Sequence, residues 1–260
     1  MSVSQRKLVA AIESSLFLYP PVLGLSQDLG IPGLRGRVTR ISHPLTNLVG
    51  DARLSDRESD AVITTVRERY GKMTFGWVTG PSTRPEDLPR RLEAAGLGHA
   101  ESVAGMALTD LATEIAVNPA VRVSEVTFKE ALAQSDMMAR SYGLPLEVTR
   151  FFNELLAAVG GRIRLRGYFA YLDGGPPLAW SFLVYLPDSP IVLLGGAATL
   201  PEHRGHGLYT ALVARRLADA RAHGRGAAII QADRKGSAPI CAKLGFSEIC
   251  RLELFASPPQ

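Results

Sequence analysis

Between residues 191 and 210 the chain gathers groups suited to holding an anion. An apolar run, Ile191–Leu200, ends at Pro201. A short basic turn follows, Glu202-His203-Arg204-Gly205-His206-Gly207, and a helical pattern begins at once with Leu208, Tyr209 and Thr210. The first-turn N–H groups of a helix have no acceptor within it, and the macrodipole places partial positive charge there. Gly205 and Gly207 lack a Cβ, so a ligand can lie against the backbone and the turn can take φ > 0. Arg204 adds a fixed charge. Together these residues predict a phosphate-binding turn. The same arrangement also occurs as an ordinary connection, so its surroundings must decide.

Those surroundings agree with a site. Ile191–Leu200 is nearly all apolar, as expected for a strand buried on both faces. The helix carries Tyr209, Leu212, Val213, Leu217 and Ala220 on one side, with Arg215, Asp219 and Arg221 elsewhere. Ala227–Ala232 suits a further strand, parallel to the first.

These residues resemble the acyl-CoA-binding segment of the GCN5-related N-acetyltransferases (GNAT), whose signature is Arg/Gln-x-x-Gly-x-Gly/Ala after a strand. Arg204 and Gly207 fill the first two positions. Tyr209 stands at the third, where the family prefers glycine or alanine. Ser237–Phe246 resembles a second landmark, a short helix ending in Leu-Gly-Phe. The resemblance covers roughly residues 121–255. It implies an α/β fold with a mixed sheet flanked by helices in the C-terminal half. It also implies acetyl-CoA as cosubstrate, and acetyl transfer by direct attack to a primary amine of a small molecule or peptide. In such a fold two parallel strands splay apart. The pantetheine arm would run along Ala197, Ala198, Thr199 and Leu200. The pyrophosphate would sit on Arg204, Gly205, His206, Gly207, Leu208, Tyr209 and Thr210. The alternative is a CoA-binding module without catalysis.

Many family members place a tyrosine acid where this chain has Cys241. A thiol can donate a proton, yet cysteine is among the most buried residue types, so Cys241 is read either as an acid or as a small core residue. No general base is assigned. Glu202, His203, His206 and Asp233 border the expected cleft, and Glu154, Tyr142 and Tyr185 are candidates to line an acceptor pocket, each with an ordinary reading as a turn, solvated or packing residue.

Composition bounds the remaining possibilities. The 260 residues are 46% hydrophobic and 21% charged, in the range of a globular chain with ample core. The net charge of +4 is uneven. Residues 1–118 hold 13 basic and 13 acidic side chains, residues 119–260 hold 16 and 12, so the excess lies where an anionic cosubstrate is expected. No basic run interleaved with aromatics suggests nucleic acid. Cys241 and Cys250 are the only cysteines and form no metal-ligand cluster, which leads to an expectation of a reduced, cytoplasmic protein without metal. No apolar stretch is long enough to suggest a membrane span. The apolar N-terminal run is broken by Glu13 and reads as a helix, Ser4–Leu18, stopped by Pro20-Pro21.

Along the chain, Leu23–Arg37 reads as a loop. Arg37–Ile41, Leu45–Leu54, Lys72–Val78 and Ser102–Leu108 read as strands. Ser55 and Glu58 form a capping-box pattern for a helix to Tyr70, and Glu86–Ala95 is a helix ended by Gly96. Asn118-Pro119 marks a junction, predicting an N-terminal α/β lobe at 1–118 and a GNAT domain at 119–260. Arg122–Val126 is then a strand, Phe128–Tyr142 and Leu146–Val159 are helices, and Arg164–Leu172 with Leu178–Tyr185 is a hairpin around Asp173-Gly174-Gly175. The first lobe is expected to be a degenerate GNAT-like copy that binds no CoA and shapes the acceptor cleft. Trp77 is expected in its core or at the interface of the lobes. The sequence assigns no oligomeric state.

Overall fold

A computed structural model describes Val3–Pro258. The first half runs α1 (Gln5–Ser15), β1 (Ser26–Asp28), β2 (Arg35–Thr39), β3 (Leu48–Gly50), α2 (Ser59–Tyr70), β4 (Gly76–Thr79), α3 (Leu88–Ala94) and β5 (Gly98–Leu108). The second runs β6 (Val121–Val126), α4 (Phe128–Ala133), α5 (Ser135–Tyr142), α6 (Leu146–Val159), β7 (Leu165–Leu172), β8 (Pro177–Tyr185), β9 (Ile191–Thr199), α7 (Leu208–Ala222), β10 (Ala227–Asp233), α8 (Ser237–Lys243) and β11 (Ser247–Ala256).

The strands form one mixed sheet in the order β1-β2-β3-β4-β11-β5-β10-β9-β8-β7-β6. Only β3 with β4 and β9 with β10 run parallel. Strand β11 therefore enters between two strands of the first half, and β5 lies between two of the second. The alternation along β9 and β10 shows how the sheet is covered. Ile191, Leu193 and Ile229 pack with Leu8, Ile12, Phe151 and Leu155 of α1 and α6. Val192, Leu194 and Ile230 pack with Leu208, Leu212 and Val213 of α7. Successive strand residues face opposite ways, so α1 and α6 lie on one face and α7 on the other. A third cluster joins α2 and α3 to β3, β4 and β11, with Trp77 fully buried in it.

Several sequence expectations change in detail: α2 begins at Ser59 with Glu58 at its N-cap rather than Ser55, and two further changes lie near α5 and β3. The helix expected over Phe128–Tyr142 is broken at Gln134, where Asn153 of α6 donates to the Ala131 carbonyl (3.4 Å) and the Ser135 hydroxyl (2.9 Å). The strand expected over Leu45–Leu54 shortens to Leu48–Gly50. Its first residues fold into a turn whose carbonyls, Leu45 and Thr46, accept from Arg37 at 2.9 Å each. Among the described residues no helix is long and apolar enough to cross a membrane, and no cluster of metal-ligating side chains is present.

Candidate functional site

Strands β9 and β10 pair only from Ile191↔Ala227 to Leu193↔Ile229. Beyond that point β10 stays with β5 as far as Asp233↔Val103, while β9 follows β8 to Thr199↔Ala179. The edge of Leu194–Thr199 that faces β10 is left without a ladder. A register shift marks the divergence: Ser181 pairs Ala197 and Phe182 pairs Gly195, so Gly196 is the extra residue. A Cβ on either Gly195 or Gly196 would strike the Phe182 ring, which explains two glycines inside a strand. Arg216 of α7 lies fully buried beneath this bulge. Its Nη1 donates to the Phe182 and Gly195 carbonyls at 3.3 Å each, and its Nε to Leu212 at 3.1 Å. Burial lowers its pKa, and its only partners are carbonyls. The sequence reading missed Arg216, because nothing in its spacing separates it from a solvated helix arginine.

The turn after β9 has the predicted geometry. Gly205 and Gly207 adopt φ of +82° and +83°, and Gly207 is the N-cap of α7. The N–H groups of Gly205 through Thr210 have no hydrogen-bond partner among the described residues; the first helical bond runs from Ala211 N to Gly207 O at 2.9 Å. Six consecutive donors therefore face outward beside a helix N-terminus. Asn118 braces them by donating from Nδ2 to the His206 carbonyl (3.0 Å). The His206 ring lies 3.1 Å from the Arg204 carbonyl and acts within the turn. Arg204 spans the end of the gap, donating to Thr199 O and Ser141 O at 3.4 Å each. Glu202 pairs with Arg140 at 2.8 Å on the exposed rim, and His203 ends a short 3-10 turn. Leu200 N is consumed by Leu178 O at 2.9 Å. Ala197, Ala198 and Thr199 thus line the open edge, and Leu200 closes it. The donors, the absence of Cβ atoms and the Arg204 charge together fit a diphosphate.

On the α7 face, Cys241 is fully buried in the core, and its Sγ lies 3.4 Å from the Tyr209 hydroxyl. Burial raises the pKa of both groups. Tyr209, at the departed signature position, thus extends under the turn toward α8. Asp233 ends β10 on the same face as Gln231, whose Nε2 donates to the Ile12 carbonyl of α1 at 2.8 Å. Glu101 lies two residues beyond Val103, Asp233's partner on β5, and so shares that face. Partial desolvation, followed by the Asp233 charge, pushes the Glu101 carboxyl above its usual range. Tyr142 is 48% exposed, and desolvation around its hydroxyl, followed by the charges of Glu101 and Asp233, raises its pKa. The structure thus brings Tyr142 and Asp233 together and adds Glu101, which the sequence reading did not name. It leaves out Tyr185, at the closed end of β8 opposite Val192, and Glu154, exposed on α6.

The geometry has counterparts. Residues 82–228, more than half the chain, match the acetyltransferase (GNAT) domain. The chain belongs to the GNAT acetyltransferase family. Three solved structures share its fold. A GCN5-related N-acetyltransferase from Kribbella flavida is 16% identical with a TM-score of 0.67, the match covering 99% of this chain and 96% of the other. One from Sphaerobacter thermophilus is 12% identical with a TM-score of 0.63, covering 98% and 94%. A tandem GNAT protein from the clavulanic acid biosynthesis pathway is 18% identical with a TM-score of 0.61, covering 87% and 78%. None of the curated proteins matches the sequence. The sheet with its flanking helices is thus a GNAT-type acyltransferase fold, and the splayed strands and donor-rich turn lie in the half that first suggested it.

Proposed function

We propose that this GNAT protein is an N-acetyltransferase that uses acetyl-CoA to acetylate a primary amine by direct attack. The observation that carries the reading is the run of six unpartnered N–H groups, Gly205–Thr210, at the mouth of the β9–β10 gap. When bound there, acetyl-CoA supplies a thioester: the ammonium gives one proton to a carboxylate of the chain, the new C–N bond forms as the C–S bond breaks, and the second proton shed by the nitrogen passes to the departing sulfur, which leaves as a thiol.

The residues have distinct tasks. Gly205–Thr210 and Arg204 hold the diphosphate, and the open edge at Ala197–Thr199 offers backbone partners to the pantetheine arm. Arg216 keeps that edge bent away from β10. Glu101 and Asp233, on the opposite face from α7, receive the proton of an amine entering from that side. A base must be ionised to act, so kcat/KM rises with pH through the raised Glu101 pKa and levels above it. Cys241 contributes packing.

The burial of Cys241, where the resemblance places an acid, favours a second reading: CoA binding without catalysis. Thiol release from acetyl-CoA with a panel of amines tests both. Amine-dependent release, with the Glu101→Gln variant losing kcat while keeping its affinity for acetyl-CoA, supports transfer. Tight acetyl-CoA binding with no release for any amine leaves the binding module, and no binding at all defeats both.

A further inference from the structure

On the face covered by α1 and α6, the β9–β10 gap opens into a cavity of about 230 Å³ floored by Gly195, Gly196 and Gln231. Its walls are largely apolar, with the Trp180 and Phe182 rings stacked at 5.8 Å between centroids. One charged side chain lines it, that of Arg37.

Arg37 is unusual. It is 9% exposed, its Nε and Nη2 are committed to the Thr46 and Leu45 carbonyls, and the Phe151 and Phe152 rings lie 5.8 and 5.7 Å from its Cζ. Among the described residues no carboxylate pairs with it, and burial lowers its pKa to about 10, so it remains a cation at neutral pH. A buried charge without a counter-charge is costly, and an anion entering the cavity beside Arg37 would offset that cost. Nη1 makes no hydrogen bond to a described residue. Two more polar groups in the cavity share this condition: the buried Thr149 Oγ1 has no partner, and the Tyr19 hydroxyl, close enough to feel the Arg37 charge, makes no hydrogen bond to a described residue. At the other end Tyr142 lines the cavity with its hydroxyl in the field of Glu101 and Asp233. The cavity thus runs from an uncompensated cation, past aromatic rings, to Tyr142 and Gln231 at the gap, with Asp233 two residues beyond Gln231 on the same face of β10.

We propose that the acceptor is a small amino-carboxylate with an apolar body. Its carboxylate meets Arg37 and the Tyr19 hydroxyl, its body lies on Trp180 and Phe182, and its amine faces the gap beside Glu101 and Asp233. This deepens the function proposed above and rests on its placing of the transfer site in the gap. A single cation with two of its five N–H donors committed balances one negative charge, which favours a carboxylate over a phosphate dianion. The same cation repels polyamines and aminoglycosides. The volume falls below the roughly 300–1,000 Å³ of drug-sized sites, which selects a small molecule over a folded peptide segment.

Thermal shift without acetyl-CoA tests the inference, using phenylalanine, leucine and 6-aminohexanoate against phenethylamine, 3-methylbutylamine and pentylamine. At least one carboxylate should raise Tm where its amine counterpart does not, and Arg37→Gln should abolish the rise. Arg37 also holds the 45–46 turn, so Tyr19→Phe and Thr149→Val provide controls that remove no bond within the fold. Tyr19→Phe should weaken carboxylate binding about tenfold, the scale of one hydrogen bond to a charged group. Equal shifts within every pair, or no shift from any carboxylate, overturn the proposal. Thiol release is read separately. Carboxylate-specific shifts without release defeat the transfer reading alone, and release without such specificity defeats this one alone.

Discussion

Two of the turns that lead from a strand into a helix, those after β9 and β4, treat their backbone donors in opposite ways. After β9, the N–H groups of Gly205–Thr210 have no partner among the described residues. After β4, the turn Gly80-Pro81-Ser82-Thr83-Arg84-Pro85 satisfies its donors from within. Gly80 N donates to Thr83 Oγ1 (2.8 Å), Ser82 N to Glu13 Oε1 (2.9 Å), Thr83 N to Gly80 O (3.0 Å) and Arg84 N to Ala52 O (3.0 Å). Pro81 and Pro85 have no N–H to offer. The first turn already has an anion, the 8%-exposed carboxylate of Glu13 on α1. The comparison teaches that an anion site is defined by donors left over after folding rather than by glycines or by a strand-to-helix step.

The largest effect that could break this contrast concerns Gly205, beside which no atom lies within 4 Å. Gly205→Val puts a β-branched residue at positive φ and a side chain into the cradle, leaving the core untouched. Calorimetry should show acetyl-CoA binding weakened about 100-fold, equivalent to about 2.7 kcal/mol. Unchanged affinity would place the cosubstrate elsewhere. Arg204→Gln should weaken binding about tenfold and flatten its salt dependence, the signature of one lost charge-assisted contact. Glu13→Ala sharpens the other side: removing this carboxylate leaves the half-buried Ser82 N without its acceptor and should cost about 1 kcal/mol in urea unfolding, with acetyl-CoA affinity unchanged. The smallest signal is the stoichiometry, expected at one CoA per chain in wild type and in Glu13→Ala alike. A second site in either would erase the distinction between the turns.

The glycine turn was legible because its signal is local: a strand, two glycines and a helix within twenty residues dictate where donors are exposed. The hairpin around Asp173-Gly174-Gly175 and helix α6 were legible for the same reason. Glu101 and Arg37 were not. Glu101 reaches the gap only because β5 pairs with β10, a contact across more than 120 residues that no periodicity encodes. Arg37 read as the first residue of a strand among other arginines. Its character comes from burial beneath Phe151 and Phe152, more than 110 residues away. Cys241 was named with two readings, and its full burial against Tyr209 reflects packing between α7 and α8. Strand β1 fell inside a stretch that reads as loop, because three residues are too few to display alternation.

The placement of β11 has a consequence for how the chain is made. Translation delivers it after the other ten strands, yet its place is in the middle of the sheet, between β4 and β5. Until it emerges, those two strands hold bare edges of the kind that recruit other chains. Severing the gene between β5 and β6 would leave one polypeptide without β11 and the other without β5, so neither could close its sheet until the two had exchanged strands.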